Sequence, residues 1–375
     1  MKKILFGITS MQLGGAERVL VDIANSLCDK YEITIFTIYG KGEFEKELNK
    51  KIKLKKLFDK KYNEFSKLRK KIINPLTILL FKKSIYKKKI MDNYDVEIAF
   101  LEGPITRLFS IKNENTKKIV WIHNDIKNVF GKGLKAKIKN IIDKKIYNKY
   151  DKLVFVSKDN LNKFNENYPS LNKKDKKVIY NYIDKEKVIE KSNEKIDVNF
   201  DQNKINFITV ARLVRQKGID RIIKVHKKLI DENFKHSFYV IGEGPEKEKL
   251  EEMIKKYKVE DTFKLLGKKE NPYPYIKKAD YFCLFSYFEG YGMVLEEAKI
   301  LNKNILITDT AAREAVENYA SSKIIENSET GIYEEMKKII NEKNEKNVEK
   351  SIEKVNNIEY NNKEILNNII KLIES

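Results

Sequence analysis

Short apolar segments alternate with amphipathic segments along most of this chain, and this alternation is the feature that most restricts its fold. An apolar segment near the start (KILFGITS) is followed by GGAERVLVDIANSLC, whose apolar residues have helical spacing, and then by the apolar segment YEITIFTIY. The same alternation continues through DVEIAFL, KKIVWIH and KLVFVS, and it begins again at INFITVA. Strands and helices that alternate in this way predict an α/β fold with mainly parallel sheets.

A polar interval divides the alternating pattern into two parts. The chain has 375 residues, a length that suits two domains of roughly 150–200 residues each. Residues 185–204 are charged and have little periodicity, so we predict an interdomain linker there. This divides the chain into an N-terminal domain at 1–184 and a C-terminal domain at 205–350. The final segment, KEILNNIIKLIE, predicts a docked C-terminal helix at about residues 360–375.

Positive charge is concentrated in one part of the chain. The formal net charge is +21, but lysine is abundant throughout, so the total says little about partners. Residues 50–91 contain sixteen Lys or Arg and only two carboxylates, a net charge of 16 − 2 = +14, and they enclose the apolar stretch IINPLTILLF. Two interpretations remain open: a solvated helix face beside one buried segment, or a surface that binds an anionic membrane.

The two cysteines and the length of the apolar runs indicate in which cellular compartment the protein is expected. Cys28 and Cys283 lie in apolar surroundings and form no disulfide framework, which favours a reducing cytoplasm. No apolar run approaches the ~18–20 residues that span a bilayer. We therefore expect a cytoplasmic protein, attached peripherally to the inner face of the cell membrane if residues 50–91 bind lipid.

The stretch SYFEGYGMVLEEAK places two glycines where a helix begins. Gly290 and Gly292 flank Tyr291, and the flexible backbone leaves the first helical amides, those of Met293 and Val294, directed outward. The positive end of the helix dipole makes such a turn favourable for an anion. Two other glycine turns are weaker candidates: Gly14–Gly15 lacks the Lys-Ser/Thr of a P-loop, and the turn at Gly242 lacks the third glycine of a dinucleotide fingerprint.

Arginine is rare enough for its positions to be informative. Only seven of the 76 basic residues are Arg, and the segment VARLVRQKGIDR contains Arg212, Arg215 and Arg221, with Lys217 between them. The segment follows a predicted strand, at the sheet edge where open α/β folds bind ligands. A guanidinium group binds phosphate through two hydrogen bonds. We predict phosphate binding for Arg212 and Lys217, whereas a salt bridge at the start of a helix explains Arg221 better.

Two glutamates lie on either side of the glycine turn. Glu297 follows Glu289 by about two helical turns, so the helix N-terminus lies between them. Carboxylates accept hydrogen bonds from vicinal hydroxyls, and each would suit a sugar. A diphosphate between two polyols is a nucleotide sugar. The alternative, two solvated surface glutamates, leaves the glycines and arginines unexplained.

These motifs resemble those of the retaining glycosyltransferases of family 4. The resemblance extends through VARLVRQKG, VIGEGPEKEKL, LLG and SYFEGYGMVLEEA, and more weakly through GGAERVL, WIH and FVSK. It implies the GT-B fold: two Rossmann-like α/β domains facing a central cleft, with a C-terminal helix that returns to the N-terminal domain. It also implies that Glu289 contacts the donor sugar, that Glu297 binds the ribose, and that Arg212 and Lys217 bind the diphosphate.

The resemblance assigns further residues to both sides of the site. His123 is implied to lie near the acceptor, although a histidine beside the only tryptophan is otherwise a core residue. The remaining positions are implied to line the cleft or bind the donor: Gly14, Gly15, Gly242, Gly290, Tyr291, Gly292, Met293 and Val294. The sequence departs from the family at Asn302 and Asn304, at Ala311–Ala312 and at Tyr182, where the family has glycine or proline. Asn302 tolerates positive φ.

The resemblance implies a bacterial hexosyltransferase of the capsule or lipopolysaccharide type. It would transfer a sugar, with retention, from a nucleotide-diphosphate sugar to a glycan or lipid-linked acceptor. The chain has no Asp-X-Asp triplet and no metal spacing among its three histidines, so we expect neither a metal nor another cofactor. Two alternatives remain, a nucleotide-sugar epimerase of the same fold and a non-catalytic basic protein that binds nucleic acid or membrane. Without RNP, zinc-finger or helix-turn-helix patterns, we expect no nucleic-acid partner.

Overall fold

The computed structural model describes residues 1–12, 14–66, 68–123, 134–345 and 362–375. The chain forms two compact units. The first unit comprises residues 1–183 and the C-terminal residues 361–375, and the second comprises residues 184–360. Each is built around one parallel sheet, which confirms the predicted α/β class with parallel sheets.

The first unit contains a seven-stranded sheet in which every pair of neighbours is parallel. Its order is β3-β2-β1-β4-β5-β6-β7, so the direction of winding reverses between β1 and β4. The strands are β1 (Lys3–Ile8), β2 (Glu32–Tyr39), β3 (Lys53–Phe58), β4 (Val96–Ala99), β5 (Lys117–Ile122), β6 (Lys152–Phe155) and β7 (Asp175–Val178).

Helices connect these strands. The α-helices are α1 (Gly15–Leu27), α2 (Asn74–Ile85), α3 (Pro104–Phe109), α4 (Leu134–Tyr147) and α5 (Lys158–Asn167). Short 3₁₀ helices occupy Glu43–Glu47, Tyr62–Glu64 and Pro169–Leu171, and π-helical turns precede and follow α2 at Arg69–Ile73 and Tyr86–Ile90. In α1, the buried residues Val19, Leu20, Ile23, Ala24 and Leu27 have helical spacing, which explains why this segment packs on the sheet as a helix.

A buried ionic contact attaches the segment around α2 to the sheet. Lys118 on β5 forms an ion pair of 2.5 Å with Glu97 on β4, and both side chains are almost fully buried. Tyr86 donates a hydrogen bond of 2.5 Å to the same carboxylate and accepts one of 2.8 Å from Lys118. Burial lowers the pKa of Lys118. Two buried charges are tolerated here because each is paired and hydrogen-bonded.

The C-terminal helix α12 (Asn362–Glu374) belongs to the first unit, which confirms the predicted return of the chain to the N-terminal domain. Its residues Ile369, Leu372 and Ile373 are buried. Lys117 donates a hydrogen bond of 2.6 Å to the carbonyl of Leu372, and Tyr31 donates one of 2.6 Å to Glu374.

The second unit contains a six-stranded parallel sheet in the order β10-β9-β8-β11-β12-β13, which reverses between β8 and β11. The strands are β8 (Ile205–Val210), β9 (His236–Ile241), β10 (Phe263–Leu265), β11 (Tyr281–Leu284), β12 (Asn304–Thr308) and β13 (Ser322–Ile325). The α-helices are α6 (Lys185–Lys191), α7 (Ile219–Asp231), α8 (Lys247–Tyr257), α9 (Tyr273–Lys278), α10 (Met293–Ile300) and α11 (Glu329–Glu345). Short 3₁₀ helices lie at Arg215–Lys217 and Ala311–Ala315.

The segment predicted as a linker, residues 185–204, is instead part of the second unit. It begins with α6, whose first turn is capped by the Asp184 side chain accepting a hydrogen bond of 3.0 Å from the amide of Lys187. Val188 and Phe200 are buried, and the Phe200 ring lies 4.3 Å from that of Tyr239. The prediction failed because two apolar anchors among many charged residues give no periodic signal.

Two histidines are buried beside each other in the second unit. The rings of His226 and His236 are 4.4 Å apart. Nε2 of His226 lies 2.8 Å from the hydroxyl of Thr262, and Nδ1 of His236 lies 2.8 Å from the carbonyl oxygen of Phe234. Burial lowers the pKa of His226 well below its ordinary value and that of His236 to about 4. Both rings are therefore neutral in the folded protein at neutral pH.

Within the described residues, no helix combines the length and the apolar character needed to cross a bilayer.

We predict that Lys118→Met destabilises the first unit by about 3–5 kcal/mol, because it leaves the Glu97 carboxylate buried without a counter-ion. Chemical denaturation monitored by circular dichroism measures the loss. The matched control is Lys118→Met combined with Glu97→Gln, which keeps an acceptor for Tyr86 and removes the buried charge. If the double variant is no more stable than the single one, the ion pair is not the source of the loss.

We also predict that the stability of the second unit falls as the pH falls below 6.5. The unfolded histidines bind protons near their ordinary pKa of 6.5, whereas folded His236 resists protonation until about pH 4. The unfolded state then binds more protons, so the free energy of unfolding decreases by about 1.4 kcal/mol per pH unit for one such histidine. Denaturation midpoints at several pH values measure this slope. His236→Phe should flatten it, and an unchanged slope would contradict the assignment.

Candidate functional site

The candidate residues of the second unit follow β8 and β11, the two strands between which the sheet order reverses. Arg212 lies just after β8, and Glu289 lies just after β11. In open α/β sheets, a crevice forms where the loops leaving two such strands diverge to opposite sides of the sheet. The fold therefore brings the two predicted groups of residues to one place.

Glu289 and Lys217 are in direct contact. Lys217 forms an ion pair with Oε1 of Glu289, and Ser286 donates a hydrogen bond of 2.8 Å to the same oxygen. The Glu289 side chain is 6% exposed and that of Lys217 is 21% exposed. The structure thus joins a residue predicted to bind the donor sugar and one predicted to bind the diphosphate into a single charged pair at the base of the turn.

The turn after β8 is fixed by glycines that admit no side chain. Gly218 has φ of +64°, and a Cβ there would lie 2.4 Å from the carbonyl oxygen of Phe285 in the turn after β11. A Cβ on Gly242, which has φ of +151°, would lie 1.9 Å from the carbonyl oxygen of Ala211. The turns after β8, β9 and β11 are therefore pressed together. Gly242, predicted to bind the donor, has a structural role in this packing.

A buried arginine holds the turn after β11. Arg221, on α7, donates hydrogen bonds of 2.9 and 2.6 Å to the carbonyl of Phe285, and one of 2.7 Å to that of Ser286. It also donates one of 2.8 Å to Asn327. The prediction that Arg221 forms a salt bridge is wrong. The atoms that accept these hydrogen bonds are backbone carbonyl oxygens and the amide oxygen of Asn327, and none of them belongs to a carboxylate. Sequence reasoning missed its structural role, although the shortage of arginine in the chain was a usable signal.

Helix α10 begins at the glycine turn, as predicted. Gly292 caps it with φ of +76°, and a Cβ there would lie 3.2 Å from the side chains of Leu284 and Leu295. Met293 and Val294 are the first two residues of the helix and are partly exposed. Because the first amides of a helix lack intrahelical acceptors, they form a positive site at the end of the turn.

The adjacent glutamates of α10 have different environments. Glu296 is buried, where it accepts a hydrogen bond of 2.6 Å from Tyr291 and forms an ion pair of 2.8 Å with Lys299. Glu297 is partly exposed, and Oε1 accepts a hydrogen bond of 3.2 Å from Tyr273. Of the two, Glu297 is therefore the one whose carboxylate is partly open to solvent, and its predicted contact with a ribose stays a prediction. The Tyr291 side chain, predicted to bind the donor, is buried and directed to Glu296.

Arg212 and the departures from the family pattern lie around this site. The Arg212 side chain is exposed at the start of its turn. Asn302 has φ of +53°, so it adopts the left-handed conformation that we predicted it would tolerate. Ala312 is buried, and its Cβ would lie 3.5 Å from a Cβ on Gly292. Ala312 therefore lies next to the start of α10, beside the glycine turn.

The residues predicted in the first unit follow its strands at the same edge of the sheet. Gly14 directly precedes α1 and Gly15 is its first residue. A Cβ on Gly14 would lie 2.3 Å from Oε2 of Glu17, and burial raises the pKa of Glu17 to about 7. Sequence reasoning missed Glu17, which gave no signal beyond its place in the GGAERVL motif.

His123 directly follows β5 and packs against aromatic rings. Its ring lies 4.8 Å from that of Phe100 and 6.4 Å from that of Trp121. Burial lowers the pKa of His123 to about 3, so the ring is neutral at physiological pH. Nε2 is buried and has no hydrogen-bond partner among the residues that the structure describes. The residue is half-buried and not a core position, but it leaves a buried polar atom that a ligand hydroxyl would satisfy.

In the part of the chain that the structure describes, no group of three or more His, Cys, Asp or Glu side chains is arranged to hold a metal ion.

We predict that Arg221→Lys destabilises the second unit by about 2–4 kcal/mol, because one ammonium group replaces a guanidinium that serves several buried carbonyls. Thermal and chemical denaturation measure the effect. Arg215→Lys is the matched control, because Arg215 is exposed in the neighbouring turn and its replacement should change stability little. Equal losses in the two variants would contradict the role given to Arg221.

Comparison with curated proteins finds relatives among glycosyltransferases. An uncharacterized glycosyltransferase of Methanocaldococcus jannaschii is 29% identical over 208 residues, which are 55% of this chain and 51% of that protein, so the match spans about half of that relative. An N-acetylgalactosaminyltransferase of Campylobacter jejuni, named for a diphospho-undecaprenol-linked acceptor, is 29% identical over 334 residues, covering 84% of this chain and 83% of that protein. An O-antigen biosynthesis glycosyltransferase of Escherichia coli is 27% identical over 311 residues, covering 80% and 78%.

Solved structures have the same fold. The Anabaena protein HepE, solved with UDP and glucose, superposes with a TM-score of 0.69 at 18% identity, covering 92% of this chain and 91% of HepE.

Two sequence families match in succession: Glycosyltransferase Family 4 over residues 13–187 and Glycosyl transferases group 1 over residues 190–367. With both matches in order and the fold of their structural relatives, the chain belongs to glycosyltransferase family 4 and has the GT-B fold.

Proposed function

We propose that this glycosyltransferase moves a hexose from a nucleotide-diphosphate sugar to a lipid-linked saccharide during the assembly of a cell-surface polysaccharide. The observation that carries this proposal is the grouping of Lys217, Glu289 and the start of α10 at the switch point of the second sheet. Cationic groups and helix amides are the types of group that bind a diphosphate, and carboxylates accept hydrogen bonds from the hydroxyls of a sugar or a ribose.

The diphosphate is the group that the positive charges favour. Arg212 is exposed and offers two parallel donors, and the first amides of α10 add the positive end of the helix dipole. Lys217 is already paired with Glu289, so a phosphate oxygen near this pair would share the lysine with the carboxylate. Glu297 is the partly exposed glutamate of α10, so we assign the hydrogen bonds from the ribose hydroxyls to its carboxylate.

We propose that transfer occurs with retention, on one face of the donor sugar. Bond breaking leaves negative charge on the departing diphosphate, and Arg212, Lys217 and the α10 amides stabilise that charge. The acceptor hydroxyl gives its proton to the departing diphosphate on the same face of the sugar. Glu289 accepts hydrogen bonds from the donor sugar while its contacts with Lys217 and Ser286 hold the carboxylate in place. Positive side chains and backbone amides supply the charge stabilisation, so the proposed reaction needs no metal ion.

The acceptor is proposed to be a saccharide on a polyisoprenyl diphosphate. The Campylobacter relative is named for such an acceptor, and the Escherichia coli relative for O-antigen biosynthesis. His123 is proposed to face the acceptor, and its Nε2, which has no hydrogen-bond partner among the described residues, is proposed as a site for a hydroxyl group. Gly14 and Gly15 are proposed to line the cleft on the donor side. Such an acceptor would place the enzyme at the cytoplasmic face of the membrane.

Thermal stability in the presence of nucleotides tests the donor site. We expect a saturable rise in melting temperature with one nucleoside diphosphate among UDP, GDP, ADP and TDP, the same in chelator and in Mg²⁺. Arg212→Ala should lower the affinity for that nucleotide by at least about tenfold, because it removes charge-assisted hydrogen bonds to phosphate. Lys255→Ala, which removes an exposed cation from α8, is the matched control and should bind normally.

Product analysis separates transfer from other reactions of the same fold. Incubation of the matching nucleotide sugar with a lipid-linked saccharide should give an elongated product with the donor's anomeric configuration, detected by mass spectrometry and NMR. A changed sugar without any acceptor would establish an epimerase instead. Absence of a shift with every nucleotide, or a shift that requires Mg²⁺, would contradict the metal-independent donor site.

A further inference from the structure

The helical segment 68–90 exposes an apolar face although it belongs to a folded unit. Six large apolar side chains of this segment are exposed, from 41% for Ile73 to 67% for Leu80. The six are Leu68, Ile72, Ile73, Leu76, Leu80 and Phe81. They are half of all the large apolar side chains found exposed in the described part of the chain. Scattered exposed apolar residues are ordinary, but a group of this kind on one helix marks an interaction surface.

These side chains form a row with cations at both ends. Ile72, Leu76 and Leu80 are spaced by four residues, so they lie along one side of the helix. Arg69 precedes this row and Lys83 and Lys87 follow it at helical spacing, and all three are exposed. From residue 69 to residue 87 the row is roughly 27 Å long, at 1.5 Å per residue. We call the face defined by Arg69, Ile72, Leu76, Leu80, Lys83 and Lys87 the docking face.

Buried contacts hold the opposite side of the helix in place. Near its start, Asn74 donates a buried hydrogen bond of 3.0 Å to the hydroxyl of Tyr39. Near its end, Tyr86 is fixed by Glu97 and Lys118 through the buried contacts described above. Ile78 and Ile90 are also buried. The helix is not free to roll inward and cover its apolar row, so the row stays exposed in the folded unit.

The charge around the docking face selects its partner. Residues 50–91 carry a net charge of 16 − 2 = +14, which opposes association with a second copy of the same surface. A nucleic acid would match the charge but would not cover Ile72, Leu76 and Leu80. An anionic bilayer matches both features, because apolar side chains enter the boundary of the acyl chains while lysine and arginine reach the headgroups.

We propose that the docking face binds the surface of an anionic membrane, with the row of Ile72, Leu76 and Leu80 inserted at the interface and Arg69, Lys83 and Lys87 on the lipid phosphates. This goes beyond the proposed function, since it rests on the docking face alone and not on the donor site. It places the helix flat on the bilayer, and the first unit with it.

Sedimentation of the full-length protein with vesicles tests the proposal. Vesicles of phosphatidylcholine with an equal part of phosphatidylglycerol should bind the protein, high salt should weaken binding, and phosphatidylcholine alone should bind little. Leu76→Gln with Leu80→Gln should lower the partition coefficient at least tenfold, as should Lys83→Gln with Lys87→Gln, since one lysine near an anionic leaflet corresponds to about fivefold. Lys255→Gln with Lys256→Gln on α8 is the charge-matched control and should bind as the wild type does.

The outcomes are distinguishable from those of the donor site. Each variant's melting temperature and nucleotide-induced shift should equal those of the wild type, which establishes that folding and donor binding are intact. Equal vesicle binding by wild type and the Leu76→Gln, Leu80→Gln variant would overturn the proposal. So would a stable dimer, detected by sedimentation velocity, that this variant abolishes, because the face would then bind a second copy. Failure of nucleotide binding alongside normal vesicle binding would affect the proposed function only.

Discussion

The candidate donor site depends on one buried guanidinium. Arg221 binds the carbonyls of Phe285 and Ser286, at the point where the chain leaves β11 and turns toward α10. These hydrogen bonds fix the start of the turn, and so they position the segment that follows it, from the Glu289 carboxylate to the first amides of α10. A carbonyl oxygen buried without a donor costs ~1–3 kcal/mol, so an irregular turn in this place needs a residue with several donors. Arginine supplies them from a neighbouring helix with one side chain.

The central strands of both sheets could be predicted from the sequence because they are continuous apolar runs. Buried on both faces, β1, β8 and β11 have little room for polar residues, and their composition identifies them. The strands that we did not predict, β3, β7 and β13, lie at sheet edges and contain sequences such as KLKKLF and DKKV. An edge strand has one neighbour and a more solvated surface, so lysine is tolerated there and the pattern disappears. The segment 185–204 was assigned as a linker for a different reason, because its two buried apolar residues, Val188 and Phe200, are too far apart to give a periodic pattern.

The sequence was sufficient to predict which residues form the candidate site and which strands they follow. It was not sufficient to predict which side chains are in contact. The glycine turn, Glu289, Glu297, Arg212 and Lys217 follow β8 and β11 as the sequence indicated. The sequence did not indicate that Glu296 would be buried and Glu297 presented, because adjacent helical residues differ by about 100° in direction and only packing decides which one faces the core. Nor did it indicate that Tyr291 would be committed to Glu296 or that Arg221 would bind carbonyls. These choices depend on residues far apart in the chain.

The pairing of Lys217 with Glu289 has a consequence for how a donor would be bound. The Glu289 side chain is 6% exposed and is paired with Lys217, so the site does not contain an unpaired buried charge. An incoming diphosphate offers Lys217 a second anion, and an incoming sugar offers Glu289 hydroxyl donors. Lys217 and Glu289 can separate without a loss of stabilisation only if the ligand gives each of them a new partner. If the proposed donor site is correct, a nucleotide without its sugar, or a sugar without its nucleotide, would leave one of the two charges less satisfied, so the pair would favour the intact donor over either part.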